Sequence, residues 1–163
     1  MAPRIDPDQT LTPVRIPARI FNEICQHARD AFPEECCGVI TGDGSVRFRQ
    51  VYRCTNLMSG LHERDPQTFP RDGREAFYMV DYIEAQEEAE ARGEWVTAVY
   101  HSHVAHGAYF SELDQDEACD ARFPFPQAAH LVVALIGREI CQIGLFQRQG
   151  EVFQGRLVDV ELA

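Results

Sequence analysis

The chain has 163 residues, of which 45% are hydrophobic and 25% charged; this composition is typical of one globular domain and excludes general disorder. No apolar run approaches the ~20 residues that a transmembrane helix needs, so we expect no membrane association. The formal net charge of −11 would repel a phosphate backbone, which makes nucleic acid a poor partner and leaves a basic protein or peptide compatible. Residues Met1–Thr12 lack the apolar core of a secretory signal, so we expect a cytoplasmic protein.

The first third of the chain predicts a polar N-terminal tail, residues 1–13, and the start of a single domain that covers residues 14–163. Apolar residues repeat every four positions from Ile16 to Ala28, which indicates a helix, and Pro33 stops it. Apolar residues and arginines alternate in the segment before residue 55, which indicates a half-buried strand. The predicted elements are a strand at Val14–Ile16, a helix from Pro17 to about Ala31, a buried strand at Cys36–Thr41 and the half-buried strand at Val46–Cys54.

The region Thr55–Glu75 lacks periodicity and is rich in Gly, Pro, Arg and Asp, which indicates a long loop. Asp81 and Glu84 have the spacing of a capping box at the start of a helix that Gly93 ends. The elements predicted after the loop are a strand at Phe77–Val80, a helix from Asp81 to Arg92, a strand at Trp95–His103, a helix at Ser111–Ala121 and strands at Leu131–Ile136, Ile140–Gln147 and Glu151–Val160. Helices and strands are mixed without strict βαβ repetition, so we expect a mixed α+β domain.

Six cysteines are present and none belongs to a Cys-x-x-Cys pair, which argues against zinc-ribbon and thioredoxin-like sites. Without an export signal we expect reduced thiols. Nothing in the local sequence distinguishes Cys36 or Cys37 as an activated nucleophile. If the buried strand starts early, Glu35 and Cys37 share one face. Cys37 is then either a neighbour of a site at Glu35 or a small core residue.

The chemically informative stretch is His101-Ser102-His103, followed after seven residues by Ser111-Glu112-Leu113-Asp114. Two histidines at positions i and i+2 of a strand point to the same face. A chain reversal over residues 104–110 would return the next helix to that face, with Ser111 as its N-cap and Asp114 one turn further on. Two imidazoles and one carboxylate suit zinc and leave a fourth position for water, as in catalytic rather than structural zinc sites.

Each half of this pattern also has a simpler explanation. A His-x-His pair on a strand commonly occurs without a metal, and Ser-x-x-Asp is an ordinary helix capping box. The metalloenzyme signatures H-E-x-x-H and P-C-x-x-C are absent from the sequence. A third histidine, His106, is expected to be a surface residue of the turn. Spacing alone therefore supports only metal-dependent hydrolysis, without a substrate.

The complete spacing resembles the JAMM signature of the MPN-domain zinc metalloproteases. The upstream segment Pro33-Glu34-Glu35-Cys36-Cys37-Gly38 is similar to the family's Pro-acid-Glu-x-Cys-Gly segment, and it aligns Glu35 rather than Glu34 with the family's catalytic glutamate. The order of elements is similar to the family from about Val14 to the end, and the size resembles the stand-alone prokaryotic members. One departure is Val104, where many members have proline; it alters the turn and not a ligand.

The resemblance implies a mixed α/β fold of the MPN/JAB type, with a central curved sheet flanked by helices. It implies one zinc ion per chain, bound by His101, His103 and Asp114. It also implies that Glu35 holds the attacking water as general base and passes its proton to the leaving amine. Ser111 would donate a hydrogen bond to the oxyanion, an interaction that contributes about 2.7–4 kcal/mol in measured cases. The sequence leaves open whether Ser111 only caps its helix.

By the same resemblance, the expected function is zinc-dependent hydrolysis of the amide bond at the C-terminal tail of a ubiquitin-like protein, by deconjugation or precursor processing. The alternatives are a peptidase that trims residues from a sulfur-carrier protein and a non-catalytic MPN scaffold. All basic residues are arginine, which fits avoidance of lysine modification and equally fits codon bias. A Gly-Gly tail must be held mainly through its backbone, so the candidate binding residues are the loop Thr55–Glu75, Tyr109 and Phe110.

Overall fold

The computed structural model describes residues 3–161, which form a curled, mixed seven-stranded sheet and four helices. The elements are β1 (Val14–Pro17), α1 (Ala18–Ala31), β2 (Cys37–Gly42), β3 (Gln50–Cys54), α2 (Met58–Arg64), α3 (Tyr82–Ala91), β4 (Trp95–Val104), α4 (Glu112–Cys119), β5 (Ala129–Ile136), β6 (Glu139–Gln149) and β7 (Val152–Glu161). The strand order is β1-β7-β6-β5-β4-β2-β3, with β1–β7 and β4–β5 parallel and the other neighbours antiparallel. The expected mixed fold with a central curved sheet is confirmed.

The four-residue apolar period predicted for the first helix is confirmed by the packing of α1. Ile20, Ile24 and Ala28 are completely buried and belong to the main core between α1 and the sheet. Burying an isoleucine side chain stabilises a fold by roughly 1.5–3 kcal/mol, so this stripe fixes α1 on one face of the sheet. The opposite face of the sheet is covered by other elements, among them α3.

Strand β4 lies between β2 and β5, and its side chains contribute to the cores on both faces of the sheet. Ala98 and Tyr100 point into the main core under α1, whereas Val99 belongs to a second core that includes Ala85 of α3. Because side chains alternate along a strand, His101 and His103 lie on the same face as Val99. The motif histidines therefore lie on the face opposite α1.

The strand predicted for Val46–Cys54 starts only at Gln50, so this prediction is wrong for its first four residues. The Asp43 carboxylate accepts main-chain hydrogen bonds from Ser45 and Val46, at 2.9 and 2.8 Å, and holds the chain in a turn. The predicted alternation is also wrong at Val46, which is exposed, whereas Phe48 on the same predicted face is buried.

Two predictions around residue 80 are also wrong. Phe77–Val80 forms no strand, because the main chain of Tyr78 bonds to Asn56 and Leu57 rather than to a neighbouring strand. The Asp81 side chain does not cap α3; its carboxylate accepts a hydrogen bond from the main chain of Thr55 at 2.9 Å. Gly93, with φ 75°, ends the helix region as predicted.

The long loop predicted for Thr55–Glu75 contains the short helix α2, which the sequence pattern did not indicate. Only Met58 of this seven-residue helix is buried, so the helix has too few apolar residues to show a helical period in the sequence.

Segment 3–13 contacts the rest of the domain at two places: Ile5 pairs with Phe110, and the Asp8 amide donates to the Gly155 carbonyl. Within residues 3–161, no helix is long and apolar enough to cross a membrane.

Candidate metal centre

His101, His103 and Asp114 meet at one point between β4 and α4. Their candidate ligand atoms all lie within 4.8 Å of one another. The Nε2 atoms of the histidines are 3.2 Å apart, and the Asp114 Oδ2 atom lies 3.4 Å from His101 Nε2 and 3.7 Å from His103 Nε2. All three side chains are at most 10% exposed. Two imidazole nitrogens and one carboxylate oxygen converging in a buried position fit a zinc ion.

The chain reversal over residues 104–110 brings α4 back to the histidines, as the spacing predicts. Ala105 lies in the left-handed region, with φ 67°, and this conformation turns the chain. The predicted N-cap is confirmed: Ser111 Oγ accepts from the Asp114 amide, and Asp114 Oδ2 accepts from the Ser111 amide, both at 3.0 Å. The capping box thus also fixes the Asp114 carboxylate toward the histidines.

The histidine rings are oriented by groups outside the cluster. His103 Nδ1 lies 2.9 Å from the carbonyl oxygen of Gly107, and a proton on Nδ1 leaves Nε2 free to bind an ion. The His101 ring stacks on Phe77, with centroids 4.8 Å apart. The His103 ring packs against Tyr109 at 4.7 Å. Both Nε2 atoms are therefore held toward Asp114.

The charge of Asp114 is stabilised by this arrangement. Burial by itself raises the pKa of Asp114, but the two histidines at hydrogen-bonding distance lower the pKa well below its usual value. An ionised carboxylate beside two imidazoles is the protonation state that a divalent cation requires of its ligands.

Glu35 lies two residues before β2 and lines a cleft together with His103 and Asp114. Its side chain is 5% exposed, and burial raises the pKa of Glu35 well above its usual value, with further contributions from the charges of Asp114, Glu117 and Glu75. Glu34 points elsewhere, and its Oε1 accepts from Ser59 Oγ at 2.6 Å. Of the two adjacent glutamates, only Glu35 lines the cleft beside His103 and Asp114.

Asn56, which sequence reasoning missed, ties together the segments around Glu35. Its side-chain amide donates to the carbonyl oxygens of Glu35 at 3.0 Å and Ala76 at 3.1 Å, and its Oδ1 accepts from the main chain of Met58 and Tyr78. The signal in the sequence was an asparagine shortly after a predicted strand, since Asn bonds readily to nearby main chain.

Two clefts of about 450 and 370 Å³ adjoin at the cluster. The larger one is walled mainly by aromatic side chains, among them Phe77, Tyr82, Phe123 and Phe125, and includes His101. The smaller one is polar and includes Glu35, Ser111, His103 and the charged groups Arg71, Glu75 and Glu117. Burial, together with the Asp114 charge, raises the pKa of Glu117 to about 7. Phe77, Asp114 and Glu117 line both clefts, so the cluster forms the boundary between them.

Three further residues from the sequence analysis have definite positions. Tyr109 lines the smaller cleft, and Phe110 lines the larger one; Phe110 is 1% exposed and stacks on Phe146 in a third core cluster. Cys37 is the register partner of His101 on the neighbouring strand, completely buried, and burial strongly raises the pKa of its thiol. Burial likewise raises the pKa of Cys36 to about 12, so neither thiol has the character of a nucleophile.

Comparison with known proteins defines the family. Residues 17–149 match the family described as prokaryotic homologs of the JAB domain, so the chain belongs to that family. A relative from Mycobacterium tuberculosis, named CysO-cysteine peptidase, is 32% identical over 120 residues, which cover 73% of this chain and 71% of the relative. The same protein name and similarity occur in Mycobacterium bovis.

Solved structures agree on the fold. A protein of Desulfitobacterium hafniense superimposes with a TM-score of 0.68 at 22% identity, over 92% of this chain and 94% of that one. A JAB1/MPN domain protein of Archaeoglobus fulgidus gives a TM-score of 0.53 at 16% identity, over 93% and 100% of the two chains. The expected stand-alone prokaryotic JAB/MPN domain is thereby confirmed.

Proposed function

We propose that this chain is a zinc peptidase that hydrolyses the amide bond after the glycine-rich C-terminal tail of a ubiquitin-like carrier, removing residues attached to that tail. The observation that carries the proposal is the convergence of His101, His103 and Asp114 within 4.8 Å at a cleft that also holds Glu35. The mycobacterial relative is named a peptidase for CysO-cysteine, which favours a sulfur-carrier substrate over a lysine conjugate.

In this proposal His101, His103 and Asp114 hold zinc, which when bound polarises the scissile carbonyl and lowers the pKa of water toward ~7. Glu35 accepts a proton from the attacking water and delivers it to the leaving nitrogen. The raised pKa of the Glu35 carboxyl, caused mainly by burial, makes it a stronger proton acceptor than an exposed glutamate. The position of Glu35 in the smaller cleft supports its role as the proton acceptor.

Ser111 can cap α4 and serve the oxyanion at the same time. Its Oγ accepts a hydrogen bond from the Asp114 amide, so the hydroxyl proton is still available for donation. Glu35 and Ser111 both line the smaller cleft, which supports a leaving group that departs on this side. The acyl portion of the substrate then occupies the aromatic side of the cluster.

The tail of the carrier is held by the segment that follows the loop 55–75. Part of that loop is folded into helix α2, whereas residues 76–80 belong to no helix or strand, and Phe77 stacks on His101. The main chain of Tyr78 bonds to Leu57 and Asn56, whereas the main-chain groups of Phe77 and Met79 have no main-chain partner within residues 3–161. This segment offers a backbone for strand addition by a tail without side chains.

A docking surface for the folded carrier adjoins this segment. Tyr78, Val80 and Ile83 are 45%, 47% and 51% exposed, an unusual group of large apolar side chains next to a cleft. The body of the carrier would cover them while its tail runs to the metal cluster. We further propose a reducing compartment such as the cytoplasm, because the cysteines, all within the described residues, are free.

The test of the proposal is metal content together with hydrolysis. Purified wild-type protein is expected to contain about one zinc per chain, and His103→Ala to contain none. His106→Ala removes an exposed histidine of the same loop and should keep its zinc. A chelator should abolish release of a residue attached through an amide bond to the Gly-Gly end of a carrier, followed by mass spectrometry, and added zinc should restore it.

Zinc at full occupancy in His103→Ala, or none in the wild type, would contradict the proposed ligands. Bound zinc without hydrolysis of any carrier would favour the non-catalytic scaffold instead. Loss of activity on thiol alkylation of folded protein, with no effect of a chelator, would indicate a cysteine nucleophile.

A further inference from the structure

Residues 3–8 lie across the end of the loop that separates the two histidines from Ser111. We call this segment the N-terminal strap. The Ile5 amide donates to the Phe110 carbonyl at 2.9 Å, and the Phe110 amide donates to the Ile5 carbonyl at 2.8 Å. The Asp8 amide donates to Gly155 at 2.8 Å. The strap is thus bonded both to the residue before Ser111 and to β7.

Side chains anchor the strap at the same place. Ile5 packs on the third core cluster, where Phe110 stacks against Phe146 and Phe153. The Gln115 side chain, 7% exposed and adjacent in sequence to Asp114, donates to the Pro3 carbonyl at 2.8 Å. The strap therefore contacts both the loop before α4 and α4 itself.

The strap also contacts a side chain that touches a candidate ligand. The Arg4 guanidinium lies over the Tyr109 ring, 4.6 Å from its centroid. Tyr109 also packs against the His103 ring, with centroids 4.7 Å apart. Cation–π contacts contribute about 0.5–1 kcal/mol at exposed sites, enough to favour one position of a tyrosine ring.

Apart from the strap, the loop is held by the Ala105 amide, which donates to the Leu135 carbonyl at 2.9 Å, by the Gly107 carbonyl next to His103 Nδ1, and by the buried Ala108. Residues 105–107 are exposed, and Ala105 adopts a left-handed conformation that an L-residue enters at a cost. Ordering a residue costs roughly 1–2 kcal/mol, so a loop between two ligands needs external contacts to remain in one conformation. The amide of Phe110 donates to the Ile5 carbonyl, and the carbonyl of Phe110 accepts from the Ile5 amide.

We propose that the N-terminal strap positions His103 and Ser111, with Arg4 and Ile5 as positioning residues. Segment 3–8 is then part of the site and not a tail that precedes the domain. The effect of the strap on catalysis rests on the proposed function, whereas its effect on the conformation of the loop does not.

The experiment compares Ile5→Pro, which removes the amide that bonds to Phe110, with Ile5→Val, which keeps that amide and most of the apolar contact. In metal-free protein, amide hydrogen exchange of residues 104–111 should be at least 10-fold faster in Ile5→Pro than in Ile5→Val, with exchange in β5 unchanged. Zinc affinity, measured by competition with a chelator, should fall roughly 10-fold, the lower limit for groups that orient ligands. On a carrier substrate, kcat should fall more than KM changes.

Arg4→Ala provides a second variant that does not disturb folding, because Arg4 is largely exposed. It should lower zinc affinity several-fold, whereas Arg15→Ala, an exposed arginine on β1, should not. Equal exchange of residues 104–111 in the two Ile5 variants, or faster exchange throughout the chain, would overturn the inference. If the protein bound zinc without hydrolysing any carrier, the exchange and affinity measurements would still show whether the strap positions His103 and Ser111.

Discussion

Cys36 and Ser102 are joined by two hydrogen bonds: the Cys36 amide donates to Ser102 Oγ at 2.7 Å, and the Ser102 amide donates to the Cys36 carbonyl at 3.1 Å. Ser102 lies between the two candidate histidine ligands, and Cys36 directly follows Glu35. This pair therefore fixes the position of the proposed base relative to the proposed metal, through the main chain of both segments. The middle residue of His-Ser-His is thus part of the geometry of the site.

Ser102→Ala should show how this pair contributes to stability and to catalysis. The buried Cys36 amide would lose its partner, which costs about 1–3 kcal/mol, and Glu35 would lose a constraint on its position. We expect a lower unfolding midpoint, retained zinc and a kcat reduced about 10-fold. Thr97→Val removes another buried hydroxyl from β4, far from Glu35, and should lower stability with little change in kcat. Unchanged kcat in Ser102→Ala would contradict the positioning role.

Glu35→Gln should abolish hydrolysis and keep zinc, because an amide cannot take the proton of the attacking water. General acid–base groups contribute typically 10²–10⁴-fold, so kcat should fall by about that factor. Glu34→Gln is the matched control; the amide oxygen can still accept from Ser59, and activity should change little. The opposite result for the two variants would mean that the motif is aligned one residue off. Zinc analysis and single-substrate kinetics check both.

The main features of fold and site could be predicted because they depend on local patterns. The period of α1, the face shared by His101 and His103, and the Ser111 cap each follow from spacing within about seven residues. The sequence could not show that Asn56 bonds to Glu35 and Ala76, because those contacts depend on how distant segments meet. The wrong strand at Phe77–Val80 has the same origin: its pattern suits a strand, but no strand lies beside it in the described sheet.

Ser111→Ala tests whether the hydroxyl acts beyond the helix cap. Loss of the cap alone should cost about 1 kcal/mol of stability. Loss of an oxyanion donor should lower kcat roughly 10²–10³-fold while zinc stays bound. Ser111→Thr keeps a hydroxyl and a capping oxygen, so it should retain most of the wild-type stability and most of the kcat. A kcat near the wild-type value in Ser111→Ala, with the expected loss of stability, would leave Ser111 as a cap only.

Ile83→Ser tests the docking surface for the folded carrier. Full burial of an isoleucine side chain is worth roughly 1.5–3 kcal/mol, so the KM for the carrier should rise about 10-fold. The kcat on a short peptide with the same C-terminal tail should stay the same, because the metal cluster is untouched. Ile136→Ser removes an isoleucine that is 68% exposed on β5 and should change neither parameter. An equal KM for Ile83→Ser and wild type on the carrier would move docking to another surface.

The pH dependence of stability should depend on His27, on the face of the sheet opposite the metal cluster. His27 Nδ1 lies 2.6 Å from the buried Tyr100 hydroxyl, and burial, with a smaller effect of the Arg53 charge, lowers the pKa of His27 to about 4. Below the ordinary value of 6.5, the unfolded chain takes up a proton that the folded chain does not. The stabilisation from neutral His27 is therefore complete above pH 6.5 and is lost as the pH falls toward 4. Urea unfolding of metal-free protein between these values should show a smaller loss in His27→Gln than in wild type. His106→Gln, at an exposed position, should show the same dependence of the free energy of unfolding on pH as wild type. An equal pH dependence in all three proteins would mean that His27 takes up its proton as readily in the folded state as in the unfolded chain.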